Sequence, residues 1–246
     1  MANGFDPRAT AAPHTAGTAG REGVAFDAGL RSHMLSVYNY MASGVLLTGI
    51  VAYALAITGV AESIFVGAGI LKYVVMFAPL IMIFFFAARA GHMSTGGLQA
   101  FFWSFAAVMG VSMSVIPLVY NGTSIATTFV ATAAAFVSLS LWGYTTKKDL
   151  SGMGTFLLMG LVGLMVVMIG NIFIKSDTLS MVISFVGVLL FAGLTAYDTQ
   201  KIKSIYFQIA GSSEMLGRAA IFGALTLYLD FINMFQFLLS FLGSRD

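Results

Sequence analysis

The chain has 246 residues, of which 59% are hydrophobic and only 9% charged, and its net charge is +2. A soluble domain carries about 25% charged residues, so these few charges cannot cover a water-facing surface, and the composition indicates an integral membrane protein. The small net charge argues against a nucleic-acid partner, and the absence of cysteine excludes disulfides and thiolate chemistry.

Residues 1–33 differ from the remainder. They are rich in Gly, Ala, Thr and Pro with scattered charges and contain no apolar run, so no signal peptide is expected. This segment reads as a disordered cytosolic tail. Its end, AFDAGLRSHML, places Phe26, Leu30 and Met34 four apart, the spacing of a short interfacial helix. His14 and His33 carry no motif and are expected to have no special role.

Seven apolar stretches long enough to cross a bilayer as helices follow, at 34–59, 71–90, 98–120, 124–146, 153–175, 179–202 and 218–243. Short connections rich in turn and breaker residues separate them: VAESIFVGAG, GHMSTGG, NGT, KKDLSG, KSDT and a longer one containing AGSSE. These spans leave no room for a second folded domain, so residues 34–246 form one all-α transmembrane unit. With the N-terminus in the cytosol, Arg21, Arg31, Arg89, Lys147, Lys148, Lys201, Lys203 and Arg218 fall inside. Only Lys72, Lys175 and Arg245 fall outside. This bias predicts a cytosolic N-terminus and an external C-terminus. Small residues four apart in the third span (Ala106, Gly110, Ser114) and Gly163 and Gly170 in the fifth read as helix-packing positions.

Near the C-terminus the segment LTLYLDFINMFQFLLSFL contains one formal charge, Asp230. An unpaired ionised Asp at the bilayer centre costs roughly 2.5–3.5 kcal/mol on insertion scales. Thr226, Asp230 and Asn233 share one helix face by their spacing, and Gln236 continues it. That face should meet protein or trapped water rather than lipid. Either a structural polar contact or a functional site would account for it. A second carboxylate, Asp198 in LFAGLTAYDTQKIK, lies near the end of the sixth span with Thr195 behind it, and Arg89 in FFFAARAG ends the second span on the same side. Taken alone, Asp198 could simply reach water, and Arg89 could be a positive-inside anchor. Three scattered histidines give no zinc spacing. No Gly-rich phosphate loop is present, and the last span lacks the lysine a retinal protein needs.

AYDTQKIK and LYLDFINMF resemble the two signature segments of the Bax inhibitor-1 family, also called transmembrane BAX inhibitor motif proteins. The KKD loop after the fourth span and the short tail LGSRD are similar to its bacterial branch. The resemblance covers about residues 34–246. It implies six helices wrapped around a central seventh, and a proton-sharing pair formed by Asp198 and Asp230 with a basic residue of the second helix nearby, matched here by Arg89. It further implies residence in the cell's inner membrane and a pH-sensitive calcium leak. The implied partners are the lipid bilayer, calcium and, in bacteria, a membrane-bound protease; in eukaryotes the family is associated with suppression of cell death. Hard carboxylate oxygens suit calcium as a passing ion at Asp198 and Asp230, and no resident cofactor is expected. A non-transporting regulator of a protease or stress response is the alternative. Two intramembrane aspartates, one in a Tyr–Asp pair, also raise an aspartyl protease. Such proteases carry Gly-x-Gly-Asp where this chain has Leu227-Tyr228-Leu229-Asp230, so no enzyme is expected. One geometric difficulty stands. Counted from the expected span ends, Asp198 lies roughly 6 Å deep and Asp230 roughly 18 Å deep, so the two meet only if the sixth or seventh helix extends beyond its apolar stretch.

Overall fold

The structure, a computed structural model, describes residues 16–67 and 69–244, with side chains from residue 28. The described residues include seven long helices: α1 Ala16–Ile57, α2 Leu71–Arg89, α3 Thr95–Met113, α4 Gly122–Thr145, α5 Ser151–Ile174, α6 Asp177–Ile209 and α7 Ser213–Leu242. Each belongs to a stretch long and apolar enough to cross a membrane, and the protein is an all-α, multi-pass membrane protein. The turn residues act as caps. Ser94, Asn121, Ser176 and Ser212 each accept a hydrogen bond from a backbone N–H in the first turn of α3, α4, α6 and α7, satisfying donors that the helix itself leaves open. Lys175 ends α5 in the left-handed conformation, φ 54°, with its N–H donating to Asn171 O at 2.8 Å.

Two boundaries differ from the sequence expectation. The tail was expected to run to residue 33, but α1 begins at Ala16, and residues 1–15 lie outside the described residues. Leu30, His33, Met34 and Val37 are buried. Their spacing is that of one helix face, so the segment read as an interfacial helix is the first turns of α1, docked on the bundle. Likewise α6 continues beyond 202 to Ile209. Ile202 and Tyr206 stay buried, while Lys201, Ser204 and Phe207 face outward. The outward polar residues end the hydropathy signal without ending the helix.

α7 is the core of the bundle. Half of its most apolar stretch is buried (50%), against 11% for α2 and α5. It packs chiefly on α1, α3, α4 and α6, whereas α2 leans on α3 and α5 on α6. The expected six-around-one arrangement therefore has four helices in close contact with the centre and two at its rim. The Ala106–Gly110–Ser114 stripe packs as expected. A methyl group on Gly110 would stand 2.8 Å from Thr48 O of α1. Beside it the Thr48 hydroxyl donates to Ala106 O (2.8 Å) and bonds Tyr228 Oη (2.6 Å), tying α1, α3 and α7 together. Gly163 and Gly170 differ: no atom lies within 4 Å of where their Cβ would be, so they face away from the bundle.

Candidate functional site

The AYDTQKIK segment is held residue by residue. Gly143 lets α4 approach α6 closely, so that a methyl group there would stand 2.2 Å from Ala196 O. Ser140 Oγ bonds Thr199 Oγ1 at 2.9 Å and Tyr38 Oη at 2.6 Å, joining α1, α4 and α6. Gln200 accepts from Leu150 N (2.9 Å) and donates to Lys148 O (2.8 Å). Lys203 Nζ donates to Tyr144 O at 2.8 Å. The KKD loop is thereby fastened to α6, and the register of Asp198 is fixed from both sides.

Asp198 and Asp230 are both buried, at 8% and 4% exposure, and their carboxyl groups come within hydrogen-bonding reach of each other between α6 and α7. Two carboxyl groups hydrogen-bond to each other only while one of them holds a proton. The depth difficulty narrows because α6 continues seven residues past its apolar stretch: Asp198 lies eleven residues before Ile209 and Asp230 seventeen after Ser213. Among the described residues, two buried side-chain polar atoms have no hydrogen-bond partner, Asp230 Oδ2 and His33 Nε2.

A cavity of about 430 Å³ reaches the pair from the end of the bundle that carries most of the Lys and Arg residues. His33, Asp198, Lys201, Arg218 and Thr226 supply its polar lining, among aliphatic side chains of α6 and α7. Lys201 is close enough to act electrostatically on Asp198. Beyond the pair, Phe231, Ile232 and Phe235 form part of the wall of a second, apolar cavity of about 690 Å³ between α1 and α4. Asp230 therefore stands between the two along α7.

The structure brings together Asp198, Asp230 and Thr226, and it places Thr195 fully buried three residues before Asp198. The hydroxyls of Thr195 and Thr226 donate to the carbonyls four residues earlier, Phe191 O and Phe222 O. Asn233 Nδ2 likewise donates to Leu229 O at 2.8 Å. Gln236 is exposed, so the polar face does not continue inward that far. Arg89 is not brought to the pair. It is exposed, its guanidinium lies over the Phe85 ring at 5.7 Å, and it does not line the cavity. Arg218 of α7 is the arginine that does. Its guanidinium donates to Met93 O, and to Ala90 O and Gly91 O at 3.3 and 3.4 Å. It thus reaches the end of the second span from the seventh, meeting carbonyls that the helix end leaves open. Among the described residues no group of three or more His, Asp or Glu could cage a metal.

Sequence reasoning did not foresee that His33 is buried and lines the cavity. Its signal was the Leu30–His33–Met34–Val37 spacing, which marks a buried helix face. It also missed Arg218, which in sequence resembles any other basic residue at a span end.

A bundle of seven membrane-crossing helices that buries a close carboxyl pair against its central helix defines a class: a multi-pass membrane protein with an intramembrane ionisable site. The family model described as inhibitor of apoptosis-promoting Bax1 matches residues 30–246, and the chain belongs to this family, the Bax inhibitor-1 family. Among its relatives is the inner membrane protein YbhL of Escherichia coli K12, 42% identical over 220 residues, spanning 89% of this chain and 94% of YbhL. An uncharacterized protein of Rickettsia prowazekii, RP147, is 46% identical over 222 residues, 89% of this chain and 92% of its own length. An uncharacterized protein of Caulobacter vibrioides is 46% identical over 237 residues, 92% and 94% of the two chains.

Proposed function

We propose that the protein is a pH-gated cation leak, with calcium as the passing ion and the Asp198–Asp230 pair as proton sensor and gate. The observation that carries this reading is the close approach of two buried carboxyl groups, one of which, Asp198, lines the 430 Å³ cavity. Two carboxylates in a low-dielectric interior resist ionising together, and their protons belong to the pair. With one proton shared, α6 and α7 are drawn together and the route is closed. Loss of that proton leaves two like charges side by side. Asp198 then has Lys201 and Arg218 to turn towards, and the contact between α6 and α7 loosens, a two-state element biased by pH. The cavity and the groove beyond Phe231 lie on either side of this contact, as a closed leak requires. A cation crossing it would meet carboxylate oxygens and water rather than a rigid cage, which suits rapid release.

The membrane is the inner membrane, as the name of the relative YbhL supports, with the N-terminus cytosolic and the C-terminus external. We propose no catalysis. Leu227 and Tyr228, just before Asp230, are fully buried, leaving no room for a substrate backbone beside the pair.

The test is calcium entry into liposomes containing the purified protein, measured across a pH series. Flux that rises from a closed level as pH rises supports the gate. Absence of flux at every pH overturns it and favours the second reading, a non-transporting regulator that contacts a membrane-bound protease. The specific observation behind that alternative is α5, which stands at the rim with Gly163 and Gly170 open to a neighbouring helix.

A further inference from the structure

The two unpartnered buried polar atoms among the described residues, His33 Nε2 and Asp230 Oδ2, are connected through Asp198. Asp230 lies within hydrogen-bonding reach of Asp198, and Asp198 and His33 line the same cavity. Buried polar groups without partners are rare and call for a reason. His33 is 6% exposed, and keeping an imidazole there costs desolvation that a Phe or Leu would avoid. Simple packing would be served as well by an apolar ring, since its neighbour is the Tyr206 ring, 5.5 Å away and tilted by 35°. Among unperturbed side chains, imidazole alone changes charge between pH 5 and 8.

We propose that His33 is the third proton-exchanging group of the Asp198–Asp230 site. It accepts a proton from water in the cavity at Nε2 and, as imidazolium, favours release of the proton the carboxyl pair shares. This inference rests on the sensor reading given above and extends the sensor from two helices to three. The charged groups that share the cavity with His33 are Asp198 and Lys201 from α6 and Arg218 from α7, with Asp230 behind Asp198, and the Tyr206 ring of α6 packs beside the imidazole. Among the described residues of α1 no other charged side chain lines the cavity; Arg31 lies in other clefts. The proton balance is simple. Water in the cavity gives one proton to Nε2, and the pair returns one to the same water, so the site exchanges protons without accumulating two like charges unscreened. Neither an ammonium nor a guanidinium can take this proton, which leaves the imidazole, beside the carboxyl pair itself, as the acceptor lining the cavity. His33 is a positioning residue for the gate: it acts on the passing ion through the pair.

The test uses the full chain in proteoliposomes and follows the carboxylic-acid C=O infrared band of the pair against pH, identified by its loss in Asp230→Asn. His33→Phe keeps an aromatic ring against Tyr206 and removes titration. His33→Gln keeps hydrogen bonding and removes titration. Both variants are expected to move the pH profile of the band to higher pH, by on the order of one pH unit, the effect of removing an opposite charge from a carboxyl neighbourhood. If both follow the wild-type profile, His33 is a packing residue and the inference is overturned, while the sensor reading stands. If the wild-type band does not titrate at all, the sensor reading falls, and the role of His33 falls with it. Because the readout is protonation and not flux, the result holds whether or not calcium is the ion.

Discussion

Gly143 and Ala196 mark a close approach of α4 to α6: a single methyl group added at Gly143 would stand 2.2 Å from the Ala196 carbonyl oxygen. That contact lies two residues from Asp198, so it sets where the carboxyl group sits. Backbone cannot retreat as a side chain can. Gly143→Ala is expected to destabilise the protein by about 1–3 kcal/mol, the usual cost of overpacking. Gly163→Ala, where the added methyl meets nothing within 4 Å, should leave stability unchanged or slightly raised. Thermal unfolding in detergent checks both; equal melting temperatures for the two variants would contradict the packing described.

Asp230→Asn keeps the shape of the side chain and a hydrogen bond to Asp198 but leaves a single titrating group. The variant is expected to fold and to lose most of the pH response of calcium flux. Asp198→Asn should act on the same step, so the double variant should be little worse than the more affected single one, as coupled sites require. A folded Asp230→Asn protein with the wild-type pH profile would remove the pair from the gate and leave it a structural contact.

Arg89 and Arg218 separate what the sequence suggests from what the structure shows. Arg218→Ala removes a cavity cation and the tie between α7 and the end of α2. It should shift the pH dependence of flux. Arg218→Lys should restore only part, because an ammonium cannot reproduce the forked donor that spans several carbonyls. Arg89→Ala, at an exposed position outside the cavity, should leave the pH profile as it was. The same flux series read on all three variants decides, and a profile altered only by Arg89→Ala would reverse the assignment.

Topology follows from charge rather than from contacts. Eight Lys and Arg residues near span ends fall on one side against three on the other, a bias that predicts Asp246 outside. Reporter domains fused after Asp246 are expected to be active only when they work outside the cytosol. A cytosol-only signal would invert the molecule and place the cavity of Asp198 on the external face.

The seven spans were legible because crossing a bilayer imposes length and apolarity on every helix alike. Asp230 was legible for the converse reason: a charge inside such a segment is costly enough to demand a role. The meeting of Asp198 with Asp230 was implied by the family resemblance, but hydropathy alone argued against it. That meeting depends on α6 running to Ile209, and the added turns carry polar residues on their outer faces. Hydropathy stops at such residues although the helix does not. Arg218 was hidden because a basic residue at a span end looks the same whether it anchors the topology or reaches across to Met93 O. His33 was hidden because a short amphipathic lead-in reads equally as a tail lying on the membrane or as the first turns of α1 docked on the bundle.

Gln200 grips the α4–α5 loop at two points, Leu150 N and Lys148 O, while Lys203 holds Tyr144 O just before it. Both grips belong to the stretch of α6 that carries Asp198. The loop therefore behaves as a pointer fixed to that helix: a tilt or turn of α6 that parts the two carboxyl groups must drag Lys147, Lys148 and Asp149 across the membrane surface. An event buried among seven helices is displayed in this way where a soluble or membrane-bound neighbour can feel it, with no need for the neighbour to enter the bilayer.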